Sequence, residues 1–311
     1  MIWMLPIHFL EHGKMSLLRK LTTKPVWLWE RHRPRPIRNA WHRLSRLDVR
    51  PNSSLHVNIL CTADSLSEAA WSAWSWTRYA GEQLSVRIVV DGTWDQGFLE
   101  AMRRVLPRVE IVELDDLLNE DVAADKTLSA FGAQHPLGRK LLLMLSLQQA
   151  DDFIYSDSDV LLFSRPDELL RAVDLACPVY NRENTESSYD SDILEAAKSL
   201  AMPPCERFNS GLIYCKRGDL DVLLAVRLLQ MKGARAFSWF DEQTIMAVLM
   251  QKAGATPLSS DLYVVSPRRQ FWWDKDVDYS SIHSRHFTGT VRHLMYSKGY
   301  QVLRSTRGKQ R

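Results

Sequence analysis

Two carboxylates interrupt the apolar stretch Phe153-Ile154-Tyr155-Ser156-Asp157-Ser158-Asp159-Val160-Leu161-Leu162-Phe163. The apolar residues on both sides predict a buried β-strand. A buried carboxylate that lacks a partner is costly, so Asp157 and Asp159 need a compensating charge. Their i, i+2 spacing directs both to one side of an extended chain, and a turn after the strand can bring both toward one ion. Mg²⁺ and Mn²⁺ are bound by such oxygen ligands and also bridge to phosphate oxygens.

Strands alternate with helices on both sides of this stretch. Predicted strands lie at 55–61, 86–90, 109–114, 153–163, 176–180, 208–215 and 262–265, and predicted helices at 95–106, 139–150, 191–201, 219–232 and 241–253. Several strands are continuously apolar, which is typical of a mostly parallel sheet covered by helices on both faces. In such sheets ligands bind beyond the carboxyl ends of the strands. The sequence therefore predicts an α/β, Rossmann-like nucleotide-binding fold.

The aspartate pair alone permits other interpretations. Two strand-end carboxylates can cap a helix or pair with arginines without any metal. Haloacid-dehalogenase-like phosphatases also place Asp-x-Asp after an apolar strand, and one of those aspartates is the nucleophile. They usually carry the motif early, with Thr or Val two residues after the second aspartate, whereas here Leu161 takes that position and three strands come first. A phosphatase, or another phosphoryl or nucleotidyl enzyme, is therefore the alternative function.

The segment from His286 to Arg292 carries groups that complement such a site. A neutral imidazole such as that of His286 is a good third ligand for Mn²⁺. Gly289 permits close approach of the backbone to a phosphate, and Arg292 is a permanent cation that can neutralise it. Alone, a histidine near the C-terminus is more often an ordinary surface residue, but its combination with Asp-x-Asp favours a functional interpretation.

Two further segments place polar residues at the ends of predicted elements. Asn209 opens an apolar strand and offers both a donor and an acceptor to sugar hydroxyls, while Gly211 permits a ligand nearby. A simple turn before a strand would give the same pattern. Asp241-Glu242-Gln243 stands at the start of a predicted helix, where acidic residues are also favourable for structural reasons.

Together these segments resemble the retaining nucleotide-sugar glycosyltransferases of the GT-A type, such as glycosyltransferase family 8 and its relatives. The resemblance spans roughly residues 55–300, with the motifs in the family's order. It rests on Arg139-Lys140, Tyr155-Ser156-Asp157-Ser158-Asp159-Val160, Phe208-Asn209-Ser210-Gly211, Asp241-Glu242-Gln243 and His286 to Arg292. The chain departs from the family-8 pattern where Glu242 separates Asp from Gln, where Arg292 replaces a lysine and where Ser156 replaces a leucine.

The resemblance implies a metal-dependent enzyme that moves a sugar from a nucleotide-diphosphate sugar, usually UDP-linked, to a glycan, lipid or protein acceptor with retention. It implies Mn²⁺, or Mg²⁺ in its place, bound by Asp157, Asp159 and His286. The catalytic residues that it implies are Asp241, Gln243 and Asn209. The substrate-binding residues that it implies are Ala63, Asp64, Asp91, Lys140, Ser158, Gly211, Gly289 and Arg292, with Ala63 and Asp64 receiving the nucleoside. An inactive binding protein of the same fold is a third possibility.

The first fifty residues differ in charge from the rest of the chain. They contain eleven lysines and arginines against three acidic residues, a net charge of +8, which leaves −5 for the remainder. Four tryptophans are interleaved with these cations: Trp3, Trp27, Trp29 and Trp41. Such a segment can bind an anionic bilayer surface, although a solvated extension that packs tryptophans onto the domain is the simpler alternative. We expect an extension at 1–50, a GT-A domain at 51–311 and no nucleic-acid partner.

The composition, 45% hydrophobic and 25% charged, is that of an ordinary globular protein. Four scattered cysteines without a Cys-x-x-Cys pair favour a reducing compartment and argue against a disulfide scaffold or a zinc site. No apolar run is long enough for a membrane-spanning helix, and the first residues lack the features of a secretory signal. We therefore expect a cytoplasmic protein, peripheral to the inner face of a membrane if the basic extension binds there.

Overall fold

A turn between the two aspartates divides the predicted strand at 153–163 into two strands of different sheets. The computed structural model describes residues 39–183, 189–233, 236–265, 277–288 and 291–305. Phe153–Asp157 belongs to the main sheet and Val160–Leu162 to a smaller one. Aspartate and serine favour turns because their side chains can hydrogen-bond the nearby backbone. Asp159 therefore lies in a turn rather than within a continuous strand.

The main sheet has seven strands within the described ranges. Numbered along the chain, all strands are β1 (His56–Thr62), β2 (Ser85–Asp91), β3 (Glu110–Glu113), β4 (Phe153–Asp157), β5 (Val160–Leu162), β6 (Val179–Arg182), β7 (Phe208–Cys215), β8 (Thr256–Pro257), β9 (Tyr263–Val265) and β10 (Ser284–His286). The main sheet has the order β3-β2-β1-β4-β7-β6-β8. Strands β3, β2, β1 and β4 are parallel, and β7 runs antiparallel to β4 and β6. The predicted mostly parallel sheet is confirmed.

The smaller sheet carries the C-terminal half of the chain back to the aspartates. Its order is β5-β10-β9, with β10 antiparallel to β5 and parallel to β9. His286 pairs with Val160 in this register. The backbone N–H of Phe287 also donates to the carbonyl of Asp159 across 2.9 Å. These backbone bonds bring His286 beside the turn that holds Asp159.

Helices cover both faces of the main sheet. They are α1 (Leu66–Ala80), α2 (Gln96–Val105), α3 (Glu120–Ala124), α4 (Lys126–Gln134), α5 (Pro136–Ala150), α6 (Asp167–Asp174), α7 (Ser191–Ser199), α8 (Val222–Lys232), α9 (Asp241–Lys252), α10 (Arg292–Leu294) and α11 (Tyr300–Ser305). Alternate residues of β4 enter two apolar cores, because Ile154 packs on the side of α1 and Phe153 and Tyr155 pack on the side of α5 and α9. Each buried side chain of this size contributes about 1.5–3 kcal/mol.

Capping residues explain where two helices differ from the predicted bounds. The helix predicted from residue 139 begins at Pro136, because His135 precedes it and its Nδ1 accepts from the N–H of Leu137 at 3.2 Å. Proline is well suited to the first helical turn. The helix predicted from residue 219 begins at Val222, because the carboxylate of Asp221 accepts from the third residue of the helix.

Residues 39–50, which belong to the predicted extension, pack against the domain. Trp41 is buried and meets the ring of Phe98 edge to face at 5.3 Å. Further along, the N–H of Leu47 donates to the carbonyl of Val105 at 2.8 Å. Residues 1–38 lie outside the described residues, so the membrane contact and the boundary at residue 50 stay predictions. None of the helices in the described ranges is both long and apolar enough to cross a bilayer.

Candidate active site and metal centre

Asp157, Asp159 and His286 come together at the carboxyl end of β4. The Nε2 atom of His286 lies 3.2 Å from Oδ1 of Asp159 and 3.5 Å from Oδ2 of Asp157. One ligand atom from each residue lies within 4.8 Å of the other two. His286 and Asp159 are buried and Asp157 is partly exposed. The structure thus brings together the three residues that the sequence proposed as metal ligands.

These side chains fit a divalent cation such as Mn²⁺ or Mg²⁺. Ligand atoms that lie about 2.1 Å from an octahedral ion are about 3 Å from their nearest neighbouring ligand atoms. The distances from Nε2 of His286 to the carboxylate oxygens of Asp159 and Asp157, 3.2 and 3.5 Å, are close to this value. Two carboxylates with one imidazole nitrogen also form a donor set that suits Mn²⁺. Because like charges so close together repel each other, a bound cation would relieve the repulsion between the two aspartates.

Asn209 and Gly211 orient the imidazole of His286. The Oδ1 atom of Asn209 lies 2.8 Å from Nδ1 of His286 and accepts the N–H of Gly211 at 3.0 Å. With its proton on Nδ1, the imidazole donates to this amide and keeps Nε2 free for an ion. A Cβ at Gly211 would lie under 3.0 Å from both Cε1 and Nδ1 of the ring, which real Cβ atoms essentially never do. The sequence predicted that Gly211 leaves room for a substrate, but the imidazole of His286 occupies that space.

Lys140 supports Asp157 from inside the protein. Its Nζ lies 3.0 Å from Oδ1 of Asp157, 3.0 Å from Oγ of Ser210 and 3.8 Å from Oε1 of Glu242. The hydroxyl of Tyr155 donates to the same Asp157 oxygen at 2.6 Å. Burial acts against the charge of the ammonium, but Asp157 and Glu242 outweigh it and raise the pKa of Lys140. A permanent buried cation thus fixes the orientation of one metal-ligand candidate.

Glu242 belongs to the segment Asp241-Glu242-Gln243 that the resemblance singled out, but it was not chosen as one of the site residues. It is buried on the first turn of α9, and one of its oxygens accepts from Oγ of Ser210 at 3.0 Å. Burial raises the pKa of this carboxyl to about 7, although Lys140 and Ser210 act in the opposite direction. Three polar residues in a row point in directions about 100° apart on a helix. Sequence alone does not decide which of the three faces the site.

The raised pKa of Glu242 predicts how stability changes with pH in metal-free protein. Between pH 4.5, the ordinary pKa of a glutamate, and about 7, the carboxyl of Glu242 is protonated in the folded protein but mostly ionised in the unfolded protein. The stabilisation is complete below pH 4.5 and is lost as the pH rises through 7, a change of about 3 kcal/mol. Urea denaturation in EDTA from pH 4.5 to 8 should show this fall, and Glu242→Gln should remove it.

The matched control for this pH profile is Glu100→Gln, an exposed change on α2. Its stability curve should run parallel to that of the unaltered chain. A Glu242→Gln curve that also runs parallel to the unaltered chain would contradict the assignment, because the carboxyl would then titrate alike in both states.

The neighbouring candidate Asp241 pairs with Lys232 rather than with the three metal-ligand candidates. Asp241 is fully buried, and its Oδ1 accepts from Nζ of Lys232 at 2.6 Å. Its other oxygen accepts the N–H of Ser238 at 2.9 Å. Gln243 is half-buried on the same helix. The structure therefore places Asp241 in a separate ion pair that secures the start of α9, and its predicted catalytic role stays a prediction.

Arg292 approaches the site from the C-terminal side. Its Nε lies 3.1 Å from Oδ2 of Asp159, and its terminal nitrogen contacts the same oxygen. Although burial favours the protonated acid, Arg292 and His286 hold the pKa of Asp159 well below its ordinary value. The Arg292 side chain as a whole is 44% exposed, so it can also contact a ligand that enters from solvent. In this state it neutralises an aspartate rather than a phosphate.

The remaining predicted substrate-binding residues lie along the same edge of the sheet. Ala63 and Asp64 form an exposed turn after β1, and Asp91 ends β2 as the register partner of Thr62. Both Nε and a terminal nitrogen of Arg139 donate to Asp91, at 3.2 and 3.1 Å. Ser158 occupies the turn between the two metal-ligand candidates. Gly289 lies outside the described residues.

Two buried polar residues next to Asn209 were also not predicted. Asn181 extends β6 beyond the predicted strand and is the register partner of Asn209 after a bulge. Neither amide atom of Asn181 has a hydrogen-bond partner among the described residues, although the side chain is fully buried. Glu183 accepts from Nδ2 of Asn209 at 3.4 Å. A buried amide without partners is costly, which points to a ligand or water at this position.

No protein-family model and no curated protein sequence matches this chain. Several solved structures, however, do match this chain. An active-site variant of LgtC has a TM-score of 0.50 at 10% identity, over 79% of this chain and 96% of that one. The galactosyltransferase LgtC with donor and acceptor sugar analogues has a TM-score of 0.50 at 12% identity, over 81% and 96%. Mouse xyloside xylosyltransferase 1 in its apo form has a TM-score of 0.49 at 14% identity, over 76% and 98%.

These similarities concern the fold, because the sequence identities are low. The two LgtC structures, at a TM-score of 0.50 over about four fifths of this chain, support a shared overall fold. The chain therefore has the GT-A fold, a mixed α/β sheet flanked by helices, which is the fold of nucleotide-sugar glycosyltransferases.

Proposed function

We propose that this protein is a metal-dependent, hexosyltransferase-type glycosyltransferase that uses a UDP-sugar and retains the configuration of the transferred sugar. The observation that carries the proposal is the convergence of Asp157, Asp159 and His286 at the carboxyl edge of a GT-A sheet. Retention is included because the sequence motifs resemble those of retaining enzymes. The acceptor classes consistent with these motifs are glycans, lipids and proteins.

The diphosphate of the donor would lie beside these three side chains. A bound divalent ion supplies Lewis-acid stabilisation of the negative charge on the departing diphosphate. Arg292 adds a guanidinium on the Asp159 side, where it is half-exposed. Lys140 keeps the carboxylate of Asp157 in place through a buried contact. Preorganised charges of this kind stabilise a departing anion more than water does, because they need not reorganise.

The donor sugar would bind where polar groups are buried and incompletely paired. Asn181 has both amide atoms without a partner among the described residues, and Asn209 and Glu183 lie next to it. On the opposite side of Asn209 stands the His286 imidazole. A sugar hydroxyl both donates and accepts, so it can satisfy an orphaned amide in a way that an apolar ligand cannot.

The reaction itself replaces one glycosidic bond by another. The acceptor hydroxyl oxygen bonds to C1 of the sugar, the bond between C1 and the diphosphate oxygen breaks, and the hydroxyl proton passes to the departing diphosphate. Attack from the same face as the leaving group preserves the configuration at C1. Buried Lys140 and half-exposed Arg292 stabilise the leaving side, and no protein nucleophile is required by this route.

Isothermal titration calorimetry with UDP tests the proposal. The full chain should bind UDP in the presence of Mn²⁺ and lose most of that affinity in EDTA. His286→Ala should lower the Mn²⁺-dependent affinity by about 100-fold, because even groups one shell away from a metal contribute 10–100-fold. The matched control is His42→Ala, which changes an exposed histidine in the 3₁₀ turn Asn39–Arg43.

His42→Ala should bind UDP as the unaltered chain does. Absence of UDP binding with Mn²⁺, Mg²⁺ and no metal would overturn the proposal. Hydrolysis of a generic phosphomonoester without UDP affinity would favour the phosphatase alternative instead. UDP binding without release of UDP from any UDP-sugar would identify a binding protein.

A further inference from the structure

Two aromatic side chains are exposed immediately before α9. Trp239 is 66% exposed and Phe240 is 39% exposed. An indole left in water forfeits the free energy that its burial would contribute, about 25 cal/mol for each Å² of apolar surface. Two adjacent exposed rings are therefore more typical of a binding surface than an isolated exposed residue is. We call Trp239 and Phe240 the aromatic rim.

A buried ion cluster holds the aromatic rim in place. Nζ of Lys232 lies 2.6 Å from Oδ1 of Asp241 and 3.3 Å from Oδ2 of Asp190. Oγ of Ser238 lies within 2.9 Å of both carboxylates, and the N–H of Phe240 donates to that hydroxyl oxygen at 3.2 Å. Because these contacts fix the backbone on both sides of Trp239, its ring is presented without a large loss of entropy on binding.

The aromatic rim adjoins two helices, α5 and α9, that carry residues of the candidate active site. The ring of Trp239 meets His135 edge to face at 5.0 Å, and His135 caps the N-terminus of α5. Lys140 lies five residues further along that helix, about 7.5 Å by the helical rise. Glu242, which accepts from Ser210 in the site, follows Trp239 by three residues. Trp239 is thus linked to the site through His135 on one side and through the start of α9 on the other.

The aromatic rim is exposed to solvent, in contrast to the residues proposed to bind the donor sugar. The polar groups proposed for the donor, Asn209, Asn181 and Glu183, are buried. One face of many pyranose rings presents only C–H bonds, and this face packs well on the electron-rich face of an aromatic ring. The exposed indole of Trp239 offers such an aromatic face to a second sugar.

We propose that Trp239, supported by His135 and Phe240, is an acceptor subsite that stacks on a sugar ring of a glycan acceptor. The inference rests on the proposed glycosyltransferase function and adds to it the class of acceptor. It selects a glycan chain or glycoside over a bare lipid or a peptide hydroxyl, because only a sugar offers a rigid apolar face bordered by hydroxyls. Binding to Trp239 orients the acceptor hydroxyl toward the donor without direct participation in bond breaking.

An immobilised oligosaccharide array with gluco-, galacto-, manno- and xylo-configured ends tests this assignment. The full chain is applied with saturating UDP and Mn²⁺, as the unaltered protein, as Trp239→Ala and as Trp239→Phe. Trp239→Ala should lower the affinity for the bound oligosaccharides about tenfold, a magnitude typical of one aromatic stacking contact. Trp239→Phe should retain part of the affinity. The control is Leu223→Ala, which removes a side chain that is 80% exposed on α8.

UDP titration of the same variants separates this inference from the proposed function. Mn²⁺-dependent UDP affinity should be equal in the unaltered chain, Trp239→Ala and Leu223→Ala. Unchanged oligosaccharide affinity in Trp239→Ala, with UDP affinity intact, would overturn the acceptor subsite and leave the proposed function in place. Equal losses of UDP and oligosaccharide affinity would also overturn it, because the indole would then support the donor site. Lack of UDP affinity in the unaltered chain would overturn the proposed function itself.

Discussion

Gly211→Ala is expected to abolish most of the Mn²⁺-dependent affinity for UDP and to destabilise the fold. The added methyl group would lie under 3.0 Å from Cε1 and Nδ1 of His286 and from Oδ1 of Asn209. Strand β7 is buried along its whole length and bonded on both sides, so its backbone has no room to retreat. The imidazole must therefore rotate away from Asp157 and Asp159.

Two measurements give the size of this effect. Overpacking of a buried site costs about 1–3 kcal/mol, which urea denaturation in EDTA should register as a lower free energy of unfolding. Titration with UDP and Mn²⁺ should show a loss of about 100-fold in affinity, comparable to the removal of His286. A 100-fold loss corresponds to about 2.8 kcal/mol, and it is expected because the clash displaces a metal-ligand candidate as well as a packing group.

Gly254→Ala is the matched control for Gly211→Ala. Gly254 has φ +73°, and nothing lies within 4 Å of the position of an added Cβ. The substitution should cost about 1–2 kcal/mol through backbone strain alone and leave UDP affinity unchanged. The double variant Gly211→Ala/His286→Ala should recover stability relative to Gly211→Ala, because the clashing ring is gone. Failure of this recovery would show that the clash does not involve the imidazole.

The strands of the core were predictable because their signal is local. The run from Leu212 to Cys215 is continuously apolar, and Phe208–Cys215 forms β7 with the predicted bounds. The turn at Asp157-Ser158-Asp159 was expected after the strand, whereas it lies between the two carboxylates. Whether a polar triplet ends a strand or only interrupts it depends on which strands pair on each side. The strands that pair with each side of the triplet are distant from it in sequence, so a local pattern does not reveal them.

The candidate site was only partly predictable for a similar reason. His286 was predicted to lie beside the two aspartates only through the resemblance to a family of known fold. Motifs that are far apart in such a sequence can come together in the folded protein. Glu242 was missed because its direction on α9 is set by the pair between Asp241 and Lys232, which anchors the helix start. Asn181 was missed because β6 continues past an apolar run into polar residues that are buried by the bulge opposite Asn209. Neither relation leaves a local pattern.

Lys140→Met is expected to cost about 3–5 kcal/mol of folding free energy, the largest stability effect that we predict. The substitution keeps the length of the side chain but leaves Asp157, Glu242 and Ser210 without the cation that they contact. Glu242 is almost completely buried, so water cannot replace the ammonium there. Urea denaturation in EDTA at pH 8, where the Glu242 carboxyl of the unaltered chain is mostly charged, measures the loss.

A matched exposed pair shows whether the burial of Lys140 is the cause. Lys252 contacts Asp221 at the end of α9 and is 42% exposed, so Lys252→Met should cost about 0–1 kcal/mol. Lys140→Met/Glu242→Gln should recover part of the loss, because the second change removes one uncompensated buried charge. The recovery should be smaller at pH 5, where Glu242 is already protonated. Equal costs for Lys140→Met and Lys252→Met would mean that solvent reaches Asp157 and Glu242 without Lys140, and the buried cation would then have no special role in fixing the metal-ligand candidates.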